Sequence, residues 1–273
     1  MIYLAALKDI KTRMQGIEDL KKITGTMYMV SSIRFKSIQN EVKHIDGLLE
    51  KLRNIMSKIP FEPKNITGPP LFIVMGSDRG LAGGYNANLL DKVYEKLMEY
   101  KDPKIISLGR KIEKFFAEKG LKIIKRYTDI DRNLSLDMLN EIIRQAINAY
   151  ESGSEIYVAY THFAGALRLK PKTVKLLPPS LAESSLNSTY IFEPSPEELL
   201  KLITKFYLKM SIESFFLHSY VSEQAARMVA MESASDNADE LLEDLGTQYH
   251  RRRKDIITGE IAEIVSGAEG IIH

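Results

Sequence analysis

Residues 71–86 read Leu71-Phe72-Ile73-Val74-Met75-Gly76-Ser77-Asp78-Arg79-Gly80-Leu81-Ala82-Gly83-Gly84-Tyr85-Asn86. Five uncharged apolar residues end in glycine, the pattern of a short buried strand. Helical spacing then runs from Asn86 to Tyr100, so the stretch predicts strand, tight turn, helix. The same alternation continues down the chain. Lys104–Gly109 predicts a second strand and Arg110–Lys119 a helix. Leu121–Arg126 predicts a third strand, Leu136–Tyr150 a helix, and 155–160 and 173–177 two further strands. Strands alternating with helices imply a mostly parallel sheet covered on both faces, a Rossmann-like arrangement.

Outside this middle region the chain changes character. All ten prolines lie between Pro60 and Pro196. Proline lacks an amide N–H and its ring clashes with the preceding turn, so proline-free flanks are free to be helical. Apolar residues in the first flank recur at steps of three and four, through Leu7, Ile10, Met14, Ile17, Ile23, Met27, Val30, Ile38, Val42, Ile45, Leu49, Leu52 and Met56. A helix over 4–58 would extend about 80 Å. Gly16, Gly25 and Gly47 each weaken it by up to about 1 kcal/mol relative to alanine. The second flank opens on Ser195-Pro196 with Glu198 three residues on, a helix-start signal. It keeps helical spacing to about Ile272, or about 110 Å. Helices that long predict a coiled coil or bundle. The expected fold class is therefore α/β: a long antiparallel coiled coil of the N- and C-terminal helices plus a Rossmann-like domain with a mostly parallel sheet. The expected division is 1–59, 60–194 and 195–273.

Composition narrows the function. The 273 residues are 44% apolar and 27% charged, with a formal net charge of +2. The absence of cysteine excludes disulfides, thiolate metal sites and thiol nucleophiles. No apolar stretch approaches the roughly 18–20 residues that span a bilayer, and residues 1–22 lack the apolar core of a signal peptide. The expectation is a protein held at a membrane, if at all, by other proteins, without inserting into it. The loop 76–86 lies where phosphate loops lie, but it matches neither glycine-rich nucleotide signature. It reads as a tight structural or contact loop. His44, His162, His218, His250 and His273 show no metal-site spacing and read as solvated or packing residues. Arg251-Arg252-Arg253-Lys254, Lys21-Lys22 and Arg34 with Lys36 are basic clusters. A solvated helix face, a nucleic acid or an acidic protein surface would each account for them.

Three stretches carry a resemblance to a known family. They are Leu7-Lys8-Asp9-Ile10-Lys11-Thr12-Arg13-Met14 continuing to Lys22–Val30, then Ser77–Asn86, and then Ser222-Glu223-Gln224-Ala225-Ala226-Arg227-Met228-Val229-Ala230-Met231 followed by 234–238. Together with Glu260–Gly267 they resemble, in order, the motifs of the γ subunits of F-type ATP synthases. The resemblance implies a central rotor shaft of the F1 sector, without a catalytic site or cofactor of its own. It implies α and β subunits around the coiled coil, the ε subunit and c ring at the globular domain, and no nucleic acid. It also implies a peripheral location on the cytoplasmic face of a bacterial plasma membrane.

By the same resemblance, Met27 matches a methionine near the acidic lever loop of β, and Arg34 and Lys36 match basic positions of the same helix. Arg79 and Ala82 lie in the loop that faces the lever. Arg227, Arg253, Lys254 and Thr258 match contact positions of the C-terminal helix. Ala82 stands where the family usually has cysteine and Lys254 where it often has glutamine, while Gly25 and Gly259 replace better helix formers. Without cysteine, the disulfide control of chloroplast relatives is impossible. The competing expectation is a freestanding coiled-coil adaptor with a head that binds nucleotide. An isolated shaft should also expose apolar stripes.

Overall fold

The computed structural model describes residues 2–59, 65–166, 168–179, 193 and 195–269. Two helices dominate: α1 spans Ile2–Met56 and α5 spans Pro196–Glu269. Between them lie β1 (Leu71–Met75), α2 (Tyr85–Leu97), β2 (Lys104–Leu108), α3 (Arg110–Glu118), β3 (Ile123–Tyr127), α4 (Leu136–Glu151), β4 (Ile156–Phe163) and β5 (Leu169–Leu177). The expected start signal of α5 is present. The Glu198 amide donates to Ser195 Oγ at 3.3 Å, and the Leu199 amide donates to the Ser195 carbonyl at 3.0 Å.

The chain divides into two compact units, Met1–Val30 with Met228–His273, and Ser31–Arg227. Both terminal helices contribute to both units. In the larger unit the five strands form one sheet in the order β3-β2-β1-β4-β5. The first four are parallel, and β5 runs antiparallel beside β4. Successive residues of a strand point to opposite faces, and β1 shows the consequence. Leu71, Ile73 and Met75 enter a core with α4, the end of α1 and the start of α5. Phe72 and Val74 enter a second core with α2 and α3. Buried on both faces, a strand must be apolar throughout, which is why 71–75 contains no polar residue.

A third cluster joins the helices in this unit. Ile38, Val42 and Ile45 of α1 pack on Leu217, Tyr220 and Val221 of α5. Asp46 contacts Ser214 and His218, whereas Arg34, earlier in α1, reaches Tyr220, later in α5. The helices therefore run antiparallel here. Each such apolar side chain contributes about 1.5–3 kcal/mol when fully buried. In the smaller unit, Met231 and Ala238 of α5 are buried at heptad spacing with Leu245 half-buried, and Lys21 pairs with Asp239.

Three strands differ from expectation. β3 spans Ile123–Tyr127 rather than Leu121–Arg126. β5 starts at Leu169 rather than Thr173, so Pro171 lies inside it, opposite Thr161. Proline cannot donate to a ladder, but β5 is an edge strand, where that loss is tolerated. β4 extends to Phe163, past the end of its pairing with β1.

Candidate partner-contact site

The loop after β1 holds its shape with side chains. Asn86 Oδ1 accepts from the Ser77 amide at 3.1 Å, and Asn86 Nδ2 donates to Ser77 Oγ at 2.7 Å. Ser77 Oγ in turn donates to the Arg79 carbonyl at 2.7 Å. Asp78 bridges outward: Oδ1 accepts from the Arg110 amide at the start of α3 (3.0 Å) and Oδ2 from the Ile130 amide (2.9 Å). A carboxylate at a helix N-terminus satisfies free amides and the helix dipole. Asp78 thus takes the place a ligand phosphate would take on α3. Gly109 is required beside it. Its φ is +100°, and a Cβ there would lie 2.8 Å from the Ser77 backbone.

α5 fastens this end of the sheet. Beyond the last β1–β4 pair, the Met75 carbonyl and the Thr161 amide and carbonyl have no partner in the β1–β4 ladder. Serines on α5 supply them. Ser219 Oγ donates to the Met75 carbonyl (3.1 Å) and accepts from the Thr161 amide (3.2 Å), and Ser222 Oγ donates to the Thr161 carbonyl (3.1 Å). The Tyr85 hydroxyl donates to the Ser219 carbonyl at 3.0 Å, and burial pushes its pKa up. One turn on, Arg227 Nη2 donates to Glu223 Oε1 at 2.6 Å and to the Gly80 carbonyl at 3.3 Å. Burial raises the Glu223 pKa, with Arg227 opposing the rise.

These contacts place the expected residues. Arg79 is exposed on the loop, but Ala82 is turned inward at 3% exposure. The loop's apolar tip is Leu81, 63% exposed and at φ +59°. Sequence reasoning passed over Leu81, because nothing in the residue type signals a left-handed backbone. Arg227 is buried in its ion pair. Arg34 is exposed and close enough to Tyr220 to oppose the rise that burial gives the Tyr220 pKa, while Lys36 is exposed beside it in α1. In the smaller unit Met27 is half-buried, and Arg253, Lys254 and Thr258 are all exposed. Apolar side chains stand exposed here too: Leu20 and Ile23 on α1, and Ile257, Ile261, Ile264 and Val265 on α5. That matches the expectation of uncovered apolar stripes.

Of the histidines, His44 and His250 are exposed, and His273 lies outside the described residues. His162 and His218 meet with ring centroids 4.5 Å apart, a tertiary contact their spacing does not reveal. Among the described residues no group of acidic or histidine side chains is arranged to hold a metal ion, and no helix is long and apolar enough to cross a membrane.

A family model described as ATP synthase matches residues 6–271. The ATP synthase gamma chain of Desulfitobacterium hafniense is 32% identical over 98% of this chain and 100% of its own length. That of Staphylococcus saprophyticus is 34% identical over 97% and 99%. Among solved structures, a chain of the Euglena gracilis mitochondrial ATP synthase OSCP/F1/c-ring assembly covers 98% of this chain with a TM-score of 0.77 at 17% identity. A chain of the Tetrahymena thermophila ATP synthase central stalk and c ring covers 78% with a TM-score of 0.62 at 23% identity. At those identities the structural likeness speaks to the fold.

Proposed function

This chain belongs to the ATP synthase gamma chain family, and on that premise we propose how it works: as the central rotor shaft of an F1 sector. Rotation of a membrane c ring turns the chain, and its unlike helix faces drive the surrounding β subunits through different conformations. The observation that carries this reading is the similarity to named gamma chains over 97–98% of the chain. The chain performs no bond chemistry itself; the nucleotide sites belong to its partners. The α and β subunits surround the paired helices, and the ε subunit and c ring meet the α/β domain. Residues 1–59 and 195–273 form the shaft, and 60–194 the head. The complex lies peripherally on the cytoplasmic face of a bacterial plasma membrane.

The exposed apolar residues of α1 and α5 support a sleeve of partner subunits, since large uncovered apolar patches mark interaction sites. We assign contact roles to Met27, Arg34, Lys36, Arg79, Arg253, Lys254 and Thr258 at the surface, and add Leu81 at the loop tip. Strained, exposed positions of this kind cluster at functional sites. Ala82 and Arg227 act from beneath, by holding the loop. A head that binds nucleotide is disfavoured, because Asn86, Asp78 and Ser77 already engage the polar groups of the loop. Native purification tests the reading: the chain should co-purify with α and β subunits, and a preparation lacking them would refute it.

A further inference from the structure

His218 sits at the junction of α1, β4 and α5. Its Nε2 lies 2.9 Å from Asp46 Oδ2 and 3.2 Å from Oδ1, and its Nδ1 accepts the Phe163 amide at 3.3 Å. One ring nitrogen thus faces the carboxylate of α1 and the other accepts from β4. His162 lies against this ring, and its own Nδ1 is buried without a hydrogen-bond partner. A proton added at His162 Nδ1 would meet no acceptor there.

We propose that Asp46, His218 and His162 form an acid-sensitive latch fastening α1 to β4 and α5, closed while the His162 ring is uncharged and loosened when that ring takes a proton. The surrounding charges fit. From β5, Lys170 stands opposite His162 and Lys172 opposite Tyr160, and both lysines disfavour a charged His162. From α1, Asp46 favours it, and Ser214 of α5 already donates to that carboxylate at 2.8 Å. Arg53 of α1 faces Tyr160, whose ring also contacts both imidazoles. Burial lowers the His162 pKa below its ordinary 6.5, with the His218 ring adding to the effect.

The sign follows. A base whose folded pKa is lowered binds its proton more readily when the latch is open, so acid favours opening. The effect starts near pH 6.5 and grows as pH falls toward the lowered folded value. Asp46, whose pKa is lowered by His218, acts in the same direction at lower pH.

Hydrogen exchange in the assembled complex tests this, with rates corrected for intrinsic chemistry. Peptides covering Phe163 and residues 40–50 should exchange up to about fivefold faster at pH 5.5 than at 6.5, the linkage of one proton to a group of ordinary pKa 6.5. Peptides from α4 should not change. His162→Phe keeps an aromatic ring without titration and should flatten the rise. Lys172→Glu, on the edge strand, should weaken it by favouring the charged imidazole in the closed state. No rise in the parent protein, or an undiminished rise in either variant, would overturn the latch.

Discussion

Replacing Arg227 with methionine should destabilise the chain mainly through the residue it leaves behind. Arg227 and Glu223 are 8% and 13% exposed in their side chains and lie one turn apart on α5. Removing one member of a buried pair costs about 3–5 kcal/mol, because the other charge stays desolvated. Glu223 can escape part of that by taking a proton, so we expect about 3 kcal/mol at neutral pH. That corresponds to a drop of about 6–12 °C in melting temperature. Arg227→Met with Glu223→Gln removes the stranded charge. It should cost only about 1 kcal/mol, the value of the lost hydrogen bond to Gly80. The pH dependence has a definite sign. Without its cation the Glu223 pKa rises further, so the folded state holds a proton that the unfolded state releases above its ordinary 4.5. The penalty of the single variant should therefore grow from pH 5 to pH 8. Thermal unfolding of the full chain, followed by circular dichroism at both pH values, reads all of this. A single variant costing under about 1 kcal/mol, or a double variant as costly as the single, would refute the stranded-charge reasoning.

Charge reversal at Arg253 and Lys254, both exposed, should lower the coupled rate of the reconstituted complex while leaving the melting temperature of the chain nearly unchanged. Unaltered rates would remove these residues from the contact. Glycine-to-alanine changes should have opposite signs at two sites. Gly16→Ala adds a Cβ in open space and should stabilise α1 by up to about 1 kcal/mol. Gly109→Ala forces a positive φ and a backbone clash at Ser77, and should cost at least about 2 kcal/mol. Equal melting temperatures for the two variants would contradict both assignments.

The fold was legible where local rules act alone. The apolar run 71–75, with glycine after it, marks a strand buried on both faces. Proline-free flanks mark two helices. Ser195 and Glu198 mark where the second begins. The start of β5 was hidden because Pro171 looks like a strand terminator, and only its place at the sheet edge makes it acceptable. The site was legible as motifs but not as roles. Glu223 and Arg227 have visible i,i+4 spacing, yet their burial depends on the β1–α2 loop lying over them. Ala82 and Leu81 are neighbours in one motif, and backbone conformation alone decides which faces outward. Asp46 and His218 are 172 positions apart in sequence, and no periodicity within one helix predicts their meeting.

The central claim is that this chain turns inside its partners, and its lack of cysteine makes the decisive measurement simple. Lys101→Cys places a single thiol at an exposed site of the α/β domain. A bead attached there, on a surface-held complex with α and β subunits, should rotate in one direction while ATP is hydrolysed. ATP hydrolysis by that complex with the bead stationary would contradict the account.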